Sequence, residues 1–503
     1  CRDAGRRGRS EVVMRLVIVS NRLPLVLEMV DGAWRTQPGA GGLIAALTPI
    51  LQRQSGVWIG WSGASDVDQT DELQRTLDEY QRDAGFELIP VAMTSQEVEG
   101  FYRGFSNEII WPLFHDLQSF CNFVPDYWTT YLAVNDKFAE IVAQHAQPDD
   151  LLWVQDYHLM GLGRQLRRRG LRNRLAFFLH IPFPPPDIFE KLPWRVDVLE
   201  GLLKYDVLGF QTPRDRKNFA DCVRDLLPDA RQRRRHGGLE VRWGGQTTFV
   251  RHFPIGIDYQ ALAQGAALPS VATHAEEIRR EMPGEQLVLG LDRLDYTKGI
   301  PYRLRAFGRA LERFEDLHRK VTLLQVVVPS RETVPEYQEL RAEIERLVTQ
   351  INGGFTQPGW VPIHYVFRSL EREELLAYYC AADVALVTPL KDGMNLVAKE
   401  YCACQLDGDG VLILSEFAGA AVQLRRDALL VNPYDLDGVA EALRRAVGMS
   451  RRQRQPAMYR MQRILSRQDV HWWANQVLQA CEMVKRPSGV PIEMDIASQE
   501  HPS

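Results

Sequence analysis

An arginine and a lysine stand five positions apart in Arg293-Leu294-Asp295-Tyr296-Thr297-Lys298-Gly299, between an apolar run (Leu287 to Leu291) and a helical pattern. Further on, Lys391-Asp392-Gly393-Met394-Asn395-Leu396-Val397-Ala398-Lys399-Glu400 follows a second apolar run (Val384 to Val387) and opens another helix. The first segment offers two fixed cations that can stabilise charge building on a departing diphosphate. The second offers the carboxylate of Asp392 and the free N–H groups of Gly393 to Asn395, suited to sugar hydroxyls and phosphate oxygens. Glu400, two turns beyond Gly393, can accept two hydrogen bonds from a ribose diol. A nucleotide-sugar is the ligand that needs both segments, which points to sugar transfer.

Other candidate residues stand where apolar runs stop, the place where open α/β sheets bind ligands. Arg22 closes Ser20-Asn21-Arg22, and Asp156 follows Leu152 to Gln155. His180 precedes a stiff proline run, Pro182 to Pro186, which would hold a wall of the site rigid. Pro38-Gly39-Ala40-Gly41-Gly42-Leu43 lets backbone approach a phosphate closely, although it does not match the dinucleotide G-x-G-x-x-G spacing. Asp156 also suits a helix N-cap, and the two roles are compatible. Asp407-Gly408-Asp409 spells a metal-binding D-x-D, but its Gly-rich polar setting reads as a turn. Cys402-Ala403-Cys404 lacks a second Cys/His pair at zinc spacing and reads as core thiols. No metal ligand set and no cofactor motif is expected.

The elements that must position these residues alternate regularly. Apolar strand candidates are Leu16–Ser20, Val57–Trp61, Leu151–Gln155, Leu175–His180, Val207–Phe210 and Phe249–Phe253, then Leu287–Leu291, Val321–Val328, Ile363–Phe367, Val384–Val387 and Val411–Leu414. Amphipathic stretches between them, such as Tyr127–Ala143, Pro213–Leu227, Tyr302–Arg313, Arg331–Val348 and Glu371–Ala381, predict helices. Strands apolar on both faces and separated by helices imply parallel sheets covered on both sides. The pattern occurs twice, with a seam near Pro254 to Asp258. The basic run Arg231 to His236, bounded by Gly237 and Gly238, reads as a solvated hairpin tip. Trp472 and Trp473 mark a last helix that needs a surface to bury against.

With 503 residues, 45% of them hydrophobic and 25% charged, the chain predicts two soluble α/β domains. A net charge of −5 without a basic stripe argues against nucleic acid, and no apolar run is long enough for a membrane span. Seven cysteines without a spacing framework fit free thiols and a cytoplasmic setting. Residues 1–13, arginine-rich and aperiodic, read as a disordered leader, and 486–503 as a loose tail.

Long strings of the chain then carry a family resemblance: SNRLP at 20–24, FYRGFSNEIIWPLFH at 101–115, QDYHLM at 155–160, FFLHIPFPPPDIF at 177–189, DRLDYTKGIP at 292–301 and KDGMNLVAKEY at 391–401. With them the sequence resembles the trehalose-6-phosphate synthases, retaining glycosyltransferases of family 20 and GT-B architecture. The resemblance implies two doubly wound Rossmann-like domains facing across a cleft. Residues 14–255 would bind the acceptor and 256–470 the nucleotide-sugar, and a helix over 471–485 would pack back on the first domain. It implies UDP-glucose as donor, with ADP- or GDP-glucose as alternatives, and glucose 6-phosphate as acceptor. Arg22, Tyr102 and Arg331 would hold the acceptor phosphate, and Trp111 and Asp156 the acceptor sugar. Gly41 and Gly42 would meet the donor near its diphosphate, and Arg293 and Lys298 the phosphates. Asp392, Gly393, Met394 and Asn395 would bind the donor glucose beside His180. Leu396, Val397, Ala398, Lys399 and Glu400 would hold the nucleoside, and backbone near Leu370 the base. His180, Arg293, Lys298 and Asp392 are the expected catalytic group.

The resemblance further implies transfer without a metal, by front-face substitution in which the leaving phosphate takes the acceptor's proton. A homo-oligomer, dimer or tetramer, is expected, as is a separate phosphatase acting on the product. Two alternatives remain: a glucosylglycerol-phosphate synthase using glycerol 3-phosphate, and a sugar-phosphate sensor that binds without turnover. Intact Arg293, Lys298 and Glu400 speak against the sensor.

Overall fold

The computed structural model describes residues 15–30, 33–38, 44, 47–48, 50–52, 56–66, 71–235, 237–331 and 334–484. The leader over 1–13, Gly41 and Gly42, and the tail over 486–503 lie outside the described residues.

In chain order the first half contributes β1 (Leu16–Arg22), β2 (Leu25–Val30), β3 (Ala33–Pro38), β4 (Val57–Trp61), β5 (Glu87–Pro90), β6 (Leu151–Gln155), β7 (Arg174–Phe178), β8 (Val207–Phe210), β9 (Arg231–Arg235), β10 (Gly238–Trp243) and β11 (Gln246–His252). Nine of these form one sheet in the order β5-β4-β1-β6-β7-β8-β11-β10-β9. All its pairings are parallel except β11–β10 and β10–β9. The second half adds β12 (Gln286–Arg293), β13 (Val321–Val328), β14 (Ile363–Phe367), β15 (Val384–Val387), β16 (Val411–Ser415) and β17 (Leu429–Val431). They build a wholly parallel sheet in the order β14-β13-β12-β15-β16-β17. Two doubly wound parallel sheets are the GT-B architecture.

Both sheets are covered on both faces, as the apolar strands require. On β1, Leu16 and Ile18 enter one core and Val17 and Val19 the other; on β6, Leu151 and Trp153 oppose Leu152 and Val154 in the same way. The helix Val470–Met483 buries Trp473 completely, 5.0 Å from Trp153 and edge-on to Phe178 at 5.1 Å between ring centroids. Through it, one apolar core joins the first sheet to Leu287, Leu289 and Ala398 of the second domain. The chain passes between the domains twice, side by side: Val470 N–H donates to Ile257 O at 3.0 Å, and a Cβ on Gly256 would lie 2.2 Å from Asp469.

Two local readings change, and a third segment winds in a way that the sequence did not announce. The basic run is not a hairpin tip: Arg231–Arg235 is an exposed edge strand paired antiparallel with β10. Five consecutive polar residues gave no strand signal, yet an edge needs no buried face, and arginines discourage further pairing there. The helix expected from Arg331 starts only at Pro335, and Arg331 precedes it with φ of 52°. Tyr102 lies on a π-helical segment, Val98–Ile110, continued by the short helix Trp111–Phe114, whose Trp111 N–H reaches back to Ser106 O.

Candidate active site

Arg22 ends β1, with its guanidinium 4.0 Å from the Trp61 ring and 5.4 Å from that of Tyr102. Burial lowers its pKa, but an arginine stays charged regardless. Arg331 arrives from the second domain. It donates to Asn107 Oδ1 at 2.7 Å and to Tyr337 Oη, and stands 5.1 Å over the Trp111 ring and 3.9 Å from Asp295 Oδ2. Burial pushes the Tyr102 phenol up, yet Arg331, Arg22 and Arg293 together outweigh it and leave its pKa below the ordinary value. Three cations from two domains thus act on one phenol, a field made for an anion such as phosphate. Trp111 Nε1–H is buried without a hydrogen-bond partner among the described residues, a donor suited to a ligand hydroxyl.

Asp156 follows β6 with φ of 70°, which turns its carboxylate to accept the His180 N–H at 3.1 Å. Burial pushes its pKa up to about 7, against the N–H groups of Tyr157 and His180. His180 lies two residues past β7, with Nε2 2.9 Å from Gln155 Oε1. Burial holds its pKa down at about 3, so the imidazole is neutral and serves as a hydrogen-bonding group rather than a cation.

The expected donor side begins where β12 stops. The Asp295 carboxylate accepts from Thr297 N–H at 2.9 Å and Oγ1–H at 2.7 Å, winding the tight turn Tyr296–Lys298. Gly299 follows in left-handed backbone (φ 64°), and a Cβ there would lie 2.8 Å from Thr388 O. Lys298 Nζ contacts Asp392 Oδ2 at 2.5 Å. Burial opposes both charges, but the pair prevails: the lysine pKa is raised and the aspartate pKa lowered. The Arg293 side chain is exposed, and its guanidinium has no hydrogen-bond or ion-pair partner among the described residues.

The Asp392 loop is laced to the segment after β16: Asp392 N–H donates to Phe417 O, Gly419 N–H to Asp392 O and Ala420 N–H to Met394 O. Asn395 (φ 73°) caps the helix Leu396–Cys404 by accepting Ala398 N–H at 3.0 Å. The buried Gly393 touches the other domain, since a Cβ there would fall 2.1 Å from His180 O. Glu400 accepts from Tyr379 Oη–H at 2.8 Å, and burial raises its pKa. Leu370, Leu396 and Val397 are half-buried beside the same core.

Lys399 departs from the expected donor contacts. Its buried ammonium donates to Ile255 O at 2.6 Å and Gln423 Oε1 at 2.7 Å, facing the interdomain crossing instead of the cleft. Asp409 is bound through both oxygens by Arg454, so the D-x-D is a turn, and Cys402 and Cys404 are buried free thiols. Among the described residues, no group of three or more His, Cys, Asp or Glu is placed to hold a metal ion. Sequence reasoning missed Trp61, Asn107, Asp295 and Tyr337. Asp295 carried a signal, a carboxylate between the two cations in the same motif, and Asn107 lies within the string at 101–115.

Comparison with known proteins decides the family. The sequence profile of glycosyltransferase family 20 matches residues 14–483. The chain belongs to that family. It is 42% identical over 470 residues to a trehalose-6-phosphate synthase of Mycolicibacterium smegmatis, covering 92% of each chain. A solved α,α-trehalose-phosphate synthase (UDP-forming) from Burkholderia xenovorans, in complex with glucose 6-phosphate, superimposes with a TM-score of 0.84 at 34% identity, over 93% of this chain and all of that one. The E. coli protein bound with UDP-2-fluoro glucose gives 0.83 at 36% identity, over 93% of this chain and 99% of that one.

Proposed function

We propose that this family 20 enzyme is an α,α-trehalose-phosphate synthase, transferring glucose from UDP-glucose to glucose 6-phosphate with retention to give α,α-trehalose 6-phosphate and UDP. The observation that carries the reading is the meeting of two halves at one cleft. Arg22, Tyr102 and Arg331 make a cationic cradle for the acceptor phosphate, and Lys298 with Asp392 faces it beside His180. The related synthase of Mycolicibacterium smegmatis and the solved complexes with glucose 6-phosphate and UDP-2-fluoro glucose support the same substrates.

In this reading Trp111 and Asp156 orient the acceptor so that its hydroxyl approaches the donor from the leaving-group face. The bond from the sugar carbon to the β-phosphate oxygen breaks, and the new bond to the acceptor oxygen forms on the same face. The acceptor's proton passes to the departing phosphate. Arg293 and Lys298 stabilise the charge on that phosphate, and Asp392 holds the glucose hydroxyls. The exposed Arg293 guanidinium and the Lys298 ammonium, once it exchanges Asp392 for the diphosphate, can replace a metal, so we place no cofactor in the reaction. The free thiols fit a cytoplasmic location. A homo-oligomer and a separate phosphatase for the product belong to the same proposal.

A product assay crossing UDP-, ADP- and GDP-glucose with glucose 6-phosphate and glycerol 3-phosphate, with and without EDTA, tests it. Trehalose 6-phosphate formed best from UDP-glucose, unaffected by EDTA, is the expected result. Exclusive use of glycerol 3-phosphate, or binding without turnover, would overturn it.

A further inference from the structure

Beneath the donor site lies a charged pair that the reaction scheme does not use. Arg303, on the helix Ile300–Arg313 that follows Gly299, has a completely buried side chain. Its Nη2 stands 2.6 Å from Asp292 Oδ2, an ion pair whose N–H is not aimed along the N···O line. Nε donates to Thr388 Oγ1 at 3.2 Å, and Nη1 approaches Gln325 Oε1 at 3.4 Å. Asp292 immediately precedes Arg293 on β12. Stability is a weak reason to keep such a pair, because buried ion pairs often contribute no more than apolar residues of the same volume. Imperfect hydrogen bonds weaken that reason further.

The Lys298 ammonium lies in the field of three carboxylates, those of Asp392, Asp292 and Asp295. Asp295 is balanced by Arg331 and by its bonds to Thr297. Asp292 is balanced by Arg303. Only Asp392 then competes with a ligand for the lysine, and Asp392 is itself a group that sugar hydroxyls can satisfy.

We propose that Arg303 is a positioning residue for glucosyl transfer: by neutralising Asp292 beneath the site, it leaves the Lys298 ammonium free to exchange Asp392 for the donor's diphosphate. The assignment rests on the transferase reading and on the place of Lys298 within it. Burial raises the Asp292 pKa even beside Arg303, so a bare Asp292 draws the ammonium inward only where the pH keeps it ionised, and there the phosphate would meet a lysine already shared between two carboxylates.

The test compares wild-type protein with Arg303→Met, Arg303→Lys and the double variant Asp292→Asn/Arg303→Met, by transfer kinetics and by calorimetric titration with UDP. Assayed at alkaline pH, where Asp292 is most ionised, Arg303→Met is expected to lower kcat about ten- to a hundredfold and to weaken UDP, with the KM for glucose 6-phosphate nearly unchanged. Removing the second charge, or restoring a cation with lysine, should return both quantities to within about threefold of wild type. A scaffolding role for the guanidinium fork would be rescued by neither, so two folded variants as slow as Arg303→Met would overturn the proposal. Wild-type kcat and UDP affinity in a folded Arg303→Met would do the same. Should Arg303→Met fail to fold, the lysine and double variants decide: active and UDP-binding supports, folded and impaired overturns. If the wild-type protein forms no trehalose 6-phosphate, the functional reading falls, and the UDP affinities of the same series still decide the role of Arg303.

Discussion

Arg331 reaches across the cleft to Asn107 and the face of Trp111, while Arg22 reaches the same aromatic wall from β1. Replacing Arg331 with alanine should raise the glucose 6-phosphate KM about ten- to a hundredfold, the scale of a charge-assisted contact, and disturb the donor KM far less, because Asp295 keeps its two bonds from Thr297. A collapse of donor affinity alone would reverse the division of labour. Asp156 makes a second prediction, because its folded pKa of about 7 lies above the roughly 3.9 of an unfolded aspartate. The folded state holds the proton more tightly, so this residue costs stability increasingly from about pH 4 to pH 7 and fully above that. Ligand-free Asp156→Asn should therefore melt higher than wild type at pH 8, with the gap closing toward pH 4. A gap that widens in acid would show that burial does not govern this carboxyl. The residues legible in the sequence were those whose charge sits in a motif at a strand end. Asn107 and Tyr337 were not, because an amide and a phenol become significant only when Arg331 is placed against them. The Lys399 side chain turns to Ile255 O and Gln423, and a motif string does not say which side of its helix a residue faces.

At the scale of elements, the site depends on backbone meeting backbone. Gly393 brings the Asp392 loop against the His180 carbonyl, and Gly419 lies beneath it, where a Cβ would meet Gly393 O at 1.9 Å. Gly393→Ala puts a methyl 2.1 Å from an atom of the other domain, and the halves can separate to relieve it. Turnover should fall about a hundredfold, as a displacement near 1 Å can cause, while the thermal midpoint stays close to wild type. Retained turnover would show that contact at His180 is not needed. The parallel sheets were readable because strands covered on both faces carry unbroken apolar runs, such as 16–19 of β1 and 151–154 of β6. The hairpin of β2 and β3, the short strands β5 and β17 and the arginine edge β9 lacked that pattern, since they are brief or lie at margins. The π-helical winding of Val98–Ile110 has no sequence periodicity distinct from an α-helix, and its meaning comes from where it sets Tyr102.

The whole molecule is a pair of domains joined firmly at one end and lightly at the other. Lys399, bonded to Ile255 O and through Gln423 to Gln468, ties the donor helix to both interdomain crossings, and Trp473 seals the core there. Across the cleft mouth the joints are weaker. Lys391 Nζ meets Asp116 Oδ2 at 2.6 Å with side-chain exposures of 17% and 44%, and Phe120 stacks on Tyr296 at 4.8 Å. A partly exposed ion pair contributes about 0–1 kcal/mol and an aromatic pair about 0.5–1.5 kcal/mol, and with the Arg331 bond to Asn107 they bias closure without enforcing it. Ligands that touch both halves must supply the remainder through their preference for the closed form. Lys391→Met combined with Phe120→Ala should therefore open the ligand-free protein, seen as a larger radius of gyration by small-angle scattering, and UDP with glucose 6-phosphate should close it again. The apparent KM for both substrates should rise several-fold in parallel, because each draws on the same depleted closed population. Since neither residue is assigned a substrate contact, kcat at saturation should stay near wild type. Scattering indifferent to both the substitutions and the ligands would mean that the two domains are held rigidly by the crossings alone, and that closure is no part of catalysis.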